Sequence, residues 1–175
     1  MEAMYRQIRQ WGFNHKIGKN VGNSYFKFSA PDKDRLEEVQ DFLDDDNIKA
    51  IFFARGGYGT VRIIDQLDFT KFKKNPKWLV GYSDITCFHS HLHTNMGIST
   101  LHAHMGSAYI TEKQDIASTQ SIYDAITGTP HKHIAAKHSL QRNGSALGQV
   151  VGGNLALLSD LIGTKSDLDT DGKIL

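Results

Sequence analysis

The chain has 175 residues, which is enough for one α/β domain, or for one domain and part of another. Its 20 Lys and Arg residues nearly balance its 19 Asp and Glu residues, so charge gives no reason to expect a nucleic acid or an anionic membrane as a partner. No apolar run reaches the roughly 18 residues that a membrane span needs, and the single cysteine, Cys87, excludes an internal disulfide and is compatible with a reducing compartment.

Helix and strand patterns alternate along the first 130 residues, which predicts an α/β fold with a mostly parallel sheet flanked by helices. The continuous apolar run at 48–54 predicts a strand covered on both faces, and Ser29 is placed to cap the helix that follows it. The predicted elements are helices at 1–13 and 29–46, a strand at 48–54, a helix at 61–68, a strand within 71–83, a helix at 84–96, a strand at 97–105 and a helix at 115–128.

The composition changes near Lys132, and Asn143-Gly144 is a turn signal. We therefore predict a domain boundary there, with an α/β domain at 1–143. Residues 144–175 are predicted to begin a second, smaller domain that contains a short helix at about 155–162.

Ser83 stands at the corner between the second predicted strand and the helix after it. A serine on such a turn projects its hydroxyl beyond the strand ends, next to the free N–H groups of the helix start, as in a nucleophile elbow. The glycine turn "GGYG" at 56–59 follows the first strand and can bring a second N–H donor close. The match to G-x-S-x-G is partial, because Ile85 stands where the second glycine belongs.

Simpler interpretations remain open on these residues alone. Ser83 can be an N-terminal cap of the helix, and 56–59 can be a plain turn between strand and helix. A phosphate cradle is disfavoured, since neither G-x-G-x-x-G nor a Walker lysine is present.

Four segments, in order along nearly the whole chain, make the pattern specific. Together they resemble the LD-carboxypeptidase family of serine peptidases, which includes the muramoyl-tetrapeptide carboxypeptidases and the microcin-immunity peptidases. The four segments are "IKAIFFARGGYGTVRIIDQLDF", "NPKWLVGYSDIT", "TLHAHM" and "GQVVGGNLALLSDLIGT".

The resemblance implies a role for individual residues. Ser83 would be the nucleophile, and the backbone N–H groups of Asp84 and Gly57 would form the oxyanion hole. Gly56, Tyr58 and His102 would contact the substrate. The resemblance implies no metal and no organic cofactor.

The resemblance also implies a glutamate and a histidine that complete the triad and follow the "GKIL" at the end of this sequence. A first strand that usually opens the family's sheet is also missing, so we expect an internal fragment of a longer protein. The expected parent is a cytoplasmic enzyme that removes the terminal D-alanine from peptidoglycan tetrapeptide during murein recycling. Its expected partner is a muropeptide, not a nucleic acid or a membrane, and a homodimer is left open.

Histidines elsewhere in the sequence are further candidates for a functional site. His89 and His93 share a helix face and could bind a metal, but no acid or cysteine cluster stands beside them. His102 lies near the expected site, where Ala103 and His104 replace the family's usual glycine-proline. Two alternative functions are a microcin-immunity-type hydrolase of a peptidyl-nucleotide analogue and a non-catalytic α/β module that binds a small ligand.

Overall fold

The computed structural model describes residues 1–106, 116–130 and 132–175 of the chain. Its helices and strands alternate, and the predicted α/β class is confirmed. The first residue of the last long predicted helix, Asp115, lies outside the described residues. No helix in this part of the chain has the length and apolar character of a membrane span. The α-helices are α1 (Glu2–Gln10), α2 (Asp32–Asp44), α3 (Thr70–Lys74), α4 (Thr86–Met96), α5 (Ile116–Ile126) and α6 (Leu155–Asp160), and the strands are β1 (Ala50–Phe52), β2 (Trp78–Gly81) and β3 (Leu101–His102).

The three strands form one parallel sheet in the order β1-β2-β3. Phe52 of β1 lies opposite Val80 of β2, and Gly81 of β2 lies opposite His102 of β3. Because the strands are parallel, their carboxyl ends meet at one edge of the sheet, which is where ligands bind in open α/β folds. The glycine turn after β1 and the serine turn after β2 therefore leave the sheet side by side.

Strand β2 is the centre of the apolar core. Leu79 and Val80 of this strand are fully buried. The residues of β1 are only half-buried, so the prediction of a strand covered on both faces is wrong for β1, which is an edge strand of the described sheet. The main apolar cluster packs helices against β2, and its members include Leu43, Phe72, Leu79, Phe88 and Leu92.

Two local predictions are corrected by the structure. Helix α2 begins after Pro31 with no side-chain cap, so Ser29 does not cap it. Residues 61–68 do not form an α-helix; this part of the chain contains two 3₁₀ turns instead, Thr60–Arg62 and Ile64–Gln66. A segment this short gains few helical hydrogen bonds, so tertiary burial of its isoleucines decides its conformation.

The segment after the predicted boundary docks on α4. The N–H of Asn154 donates to Thr86 Oγ1 at 2.9 Å. Ser166 is buried against the same helix, where its carbonyl accepts from the Ser90 hydroxyl and its own hydroxyl lies 2.8 Å from His91 Nδ1. These contacts hold the C-terminal segment against the helix that begins behind Ser83.

The domain boundary near Asn143 stays a prediction. Val150 is 78% exposed, and neither Val150 nor Leu157 is a member of the main apolar cluster around β2. The contacts to α4 include hydrogen bonds at Thr86, His91 and Asn95.

His89 joins α4 to the end of β2. The ring is buried, with Nε2 3.0 Å from the carbonyl oxygen of Gly81 and Nδ1 2.7 Å from Thr100 Oγ1. Since a carbonyl only accepts, Nε2 carries the proton, and Nδ1 of the neutral ring accepts from the Thr100 hydroxyl. Burial lowers the pKa of His89 to about 4, although the hydrogen bond to Gly81 acts in the opposite direction. The neutral imidazole thus fixes the strand end that precedes Ser83.

We expect the free energy of unfolding to fall as the pH is lowered from 6.5 to 4. The unfolded chain protonates His89 in this range, whereas the folded chain keeps it neutral, so the stability that His89 contributes is lost as the pH falls. The full effect is at most about 3 kcal/mol. Urea unfolding of the wild type and of His89→Gln at several pH values measures it, with exposed His138→Gln as the control. Equal pH dependence of the two variants would contradict this role.

Candidate active site

Ser83 occupies a strained turn between β2 and α4. Its φ angle is +60°, in the left-handed region that non-glycine residues rarely adopt. Such a residue costs on the order of 1–3 kcal/mol, and strain of this kind is concentrated at functional sites. A helix cap has extended backbone angles and a side chain that accepts from the first turn, and Ser83 shows neither feature. The geometry is that of a nucleophile elbow.

The glycine turn after β1 lies in direct contact with Ser83. A Cβ atom at position 56 would lie 3.1 Å from Ser83 Cβ and 3.3 Å from Ser83 Oγ. This is tighter than ordinary van der Waals contact, so only glycine lets the turn approach without displacing the serine. The two turns that the sequence singles out therefore form one site.

Two backbone donors of this site are free. Within the described part of the chain, the N–H groups of Gly57 and Asp84 donate to no backbone or side-chain acceptor. Gly57 has a φ angle of +150°, which glycine adopts without strain. Among the described residues, each turn thus offers one N–H group without an acceptor, and free N–H groups of this kind can bind a developing oxyanion.

The side chain of Asp84 ties the two turns together. It is buried, and its Oδ2 accepts from the N–H of Thr60 at 3.1 Å and from the Thr60 hydroxyl at 2.6 Å. Sequence reasoning assigned a role only to the backbone of Asp84 and missed this contact. The only available signal was a threonine directly after the glycine turn and an aspartate directly after the serine.

Arg35 of α2 holds the glycine turn from its other side. Its Nη1 donates to the carbonyl oxygen of Gly59 at 3.3 Å, and its guanidinium stacks on Phe28 with 4.9 Å to the ring centre. Asp32 pairs with both Arg35 and Arg62, and the hydrogen bonds from Arg62 and then Arg35 lower the pKa of Asp32. Sequence reasoning gave Arg35 no role.

Two of the three predicted substrate contacts, Tyr58 and His102, belong to the turn after β1 and to β3, the strands on either side of β2. Tyr58 is 74% exposed at the tip of the glycine turn, so its ring is available to a ligand. His102 is exposed at the end of β3, where its ring lies 6.2 Å from that of Tyr82 and 5.8 Å from that of His89. Their contact with substrate stays a prediction.

Among the described residues, no histidine, lysine or carboxylate hydrogen bonds to Ser83 Oγ. A general base for Ser83 is therefore not found in this part of the chain. His89 uses both of its ring nitrogens elsewhere. Cys87 is fully buried, and burial, followed by the charges of Asp84 and Asp160, raises its pKa to about 12. The thiol therefore stays protonated and does not compete with the serine.

A cavity next to the site does not include Ser83 in its lining. It has a volume of about 1250 Å³, runs along β1 and reaches Gly56, Gly57 and Asp84. In residues 1–106, 116–130 and 132–175, no group of three or more histidine, cysteine, aspartate or glutamate side chains is placed to hold a metal ion.

Curated proteins of related sequence carry murein carboxypeptidase names. The chain is 35% identical to a probable murein peptide carboxypeptidase of Bacillus subtilis, over 96% of this chain and 54% of that protein. It is 29% identical to a murein tetrapeptide carboxypeptidase of Pseudomonas aeruginosa, over 96% of this chain and 57% of that protein. The chain spans about half the length of these relatives.

Solved structures show the same fold. An MccF-like protein from Bacillus anthracis matches with a TM-score of 0.85 and 23% identity, over 98% of this chain and 59% of that chain. The muramoyltetrapeptide carboxypeptidase of Oxalobacter formigenes matches with a TM-score of 0.78 and 24% identity, over 96% and 57% of the two chains. The family model described as the LD-carboxypeptidase N-terminal domain matches residues 1–103, which include both turns of the site. The chain therefore belongs to the LD-carboxypeptidase family.

Proposed function

We propose that the protein is a serine-type LD-carboxypeptidase that releases the terminal D-alanine from peptidoglycan tetrapeptide in murein recycling. The observation that carries the proposal is the strained Ser83, which lies against Gly56 of the glycine turn, next in sequence to Asp84, while the N–H groups of Gly57 and Asp84 have no acceptor among the described residues. The murein carboxypeptidase names of the relatives in Bacillus subtilis and Pseudomonas aeruginosa supply the substrate class.

The proposed reaction has two halves. Ser83 Oγ attacks the carbonyl carbon before D-alanine while a base takes its proton, and the N–H groups of Gly57 and Asp84 bind the oxyanion. The tetrahedral intermediate collapses when the C–N bond breaks, and D-alanine leaves with the proton that the base returns. The base then takes a proton from water as the water attacks the acyl-serine ester, the bond between the carbonyl carbon and Ser83 Oγ breaks, Ser83 Oγ regains the proton, and the released acid carries the new carboxylate.

The chain's own residues supply the nucleophile and the oxyanion donors in this scheme. The histidine base and the glutamate that orients it are implied by the resemblance, and no described residue takes their place at Ser83. Tyr58 and His102 are proposed to contact the muropeptide from the turn after β1 and from β3. We place the reaction in the cytoplasm, as the resemblance implies, and a homodimer stays a prediction.

An immunity-type hydrolase is the second candidate. The observation in its favour is the fold, since a microcin C7 self-immunity protein in complex with aspartyl sulfamoyl adenosine matches with a TM-score of 0.79. Its sequence identity is 19%, over 98% of this chain and 61% of that chain, against 35% for the Bacillus subtilis murein relative. The sequence comparison therefore favours a murein peptide as substrate.

The nucleophile is tested in the whole encoded protein that carries this sequence. A fluorophosphonate should label Ser83, and Ser83→Ala should abolish labelling and lower D-alanine release by roughly ten thousand-fold or more. Ser159→Ala, at an exposed position of α6, is the matched control and should behave as the wild type. If Ser83→Ala remains as active as Ser159→Ala, the turn is structural and the non-catalytic module becomes the better account.

Residues 1–175 expressed alone should release little or no D-alanine from an L,D-linked tetrapeptide. A serine hydroxyl is a weak nucleophile at neutral pH without a base, and no described residue supplies one to Ser83. The assay compares this chain, its Ser83→Ala form and the whole encoded protein at equal concentration. Turnover by residues 1–175 that matches the whole protein would overturn the assignment of the base, and His102 and His104 would be the first alternatives to test.

A further inference from the structure

Asp84, which supplies one of the two proposed oxyanion donors, also hydrogen bonds through its side chain to Thr60 of the other turn. We propose that Thr60 and the Asp84 carboxylate are positioning residues that fix the spacing between the two N–H donors of this hole. The inference rests on the proposed function, because the donors matter only if an oxyanion forms there.

Asp84 connects the two turns of the site. Asp84 contributes its backbone N–H from the serine turn, and its own side chain grips the other turn at Thr60, three residues after Gly57. The two turns come from different strands and are 24 residues apart in sequence at this contact. A side chain that starts on one donor residue and ends beside the other donor's turn limits how far the two donors can separate.

Both partners of this contact are buried. Thr60 is 5% exposed and Asp84 is 7% exposed, so water cannot readily replace either partner of these hydrogen bonds. Loss of a buried partner leaves the other polar group unsatisfied, which is costlier than loss of an exposed one. The contact is therefore rigid in the way a positioning device needs.

The hydrogen bonds of the Asp84 side chain, and not its negative charge, are what the proposed role requires. A carboxylate close to a developing oxyanion repels it, so the negative charge of Asp84 does not itself favour the reaction. Both hydrogen bonds from Thr60 end on the same oxygen, Oδ2. An asparagine oxygen can accept both, so Asp84→Asn keeps the tether and removes the charge.

A second contact supports the same turn. Arg35 donates to the carbonyl oxygen of Gly59, and a Cβ atom at position 59 would lie 2.8 Å from Phe28 and 2.9 Å from Arg35. The chain just before Thr60 is thus held from the side of α2, while Thr60 is held from the side of the elbow. The turn has little freedom to move away from Ser83 while both contacts persist.

The test compares Thr60→Val, Thr60→Ser, Asp84→Ala and Asp84→Asn in the whole encoded protein. Thr70→Val is the matched control, because Thr70 is exposed at the start of α3 and its N–H donates at 2.8 Å to the Asp68 side chain rather than to either turn of the site. The measurements are kcat and KM for D-alanine release, together with amide hydrogen exchange of residues 56–60.

Thr60→Val and Asp84→Ala should lower kcat by about 10- to 100-fold with little change in KM, since misplaced oxyanion donors affect the transition state. Exchange at residues 56–60 should be about tenfold faster or more. Thr60→Ser restores the hydroxyl and should stay near the wild type, as should Thr70→Val, whereas Asp84→Asn keeps the acceptor and should be clearly less impaired than Asp84→Ala.

Three results would overturn the inference. The first is a Thr60→Val form with the same kcat and the same amide exchange as Thr70→Val. The second is an Asp84→Asn form that is as impaired as Asp84→Ala. The third is a loss of activity in Thr60→Val and Asp84→Ala that lies entirely in KM. If Asp84→Ala does not fold, Thr60→Val still decides, because it keeps the Thr60 N–H and the size of the side chain. A wild type that releases no D-alanine refutes the proposed function instead, and the exchange data then judge the tether separately.

Discussion

The contact between the Asp84 carboxylate and Thr60 is the constraint on which the site depends. It is buried, it joins the turn after β1 to the turn after β2, and it starts from the residue next to Ser83. The parallel sheet brings the two turns to the same edge, but sheet geometry alone leaves loops free to diverge. The hydrogen bonds of the Asp84 carboxylate and the contact of Gly56 with Ser83 hold the two turns together. The proposed nucleophile, Ser83, and the two proposed N–H donors can act as one site only if their separation is fixed.

The strain at Ser83 needs support from the rest of the fold. Strained backbone persists only where surrounding contacts hold it, and here Leu79 and Val80 of β2 are fully buried before the turn while α4 packs after it. His89 links these two elements by its bond to Gly81, and Asn154 links the C-terminal segment to Thr86 at the start of α4. The positive φ of the serine is thus held from the strand, from the helix and from the later segment of the chain.

Sequence patterns predicted the parts of this arrangement that depend on local periodicity and composition. The apolar runs predict β1 and β2, and the glycine and serine turns at their ends predict one shared site. The roles of Arg35 and of the Asp84 side chain could not be predicted, because their partners at Gly59 and Thr60 are 24 residues away in both cases. The 3₁₀ turns at 60–66 were mistaken for a helix, since tertiary burial rather than propensity set their geometry.

A crystal structure of the whole encoded protein after reaction with a fluorophosphonate tests the central claim most directly. The phosphonyl group on a serine imitates the tetrahedral intermediate, so its free oxygen reports where an oxyanion would lie. The account predicts a covalent bond to Ser83 Oγ and a phosphonyl oxygen within about 3 Å of both the Gly57 and the Asp84 nitrogen. A label on another residue, or an oxygen that points away from these two N–H groups, would contradict it.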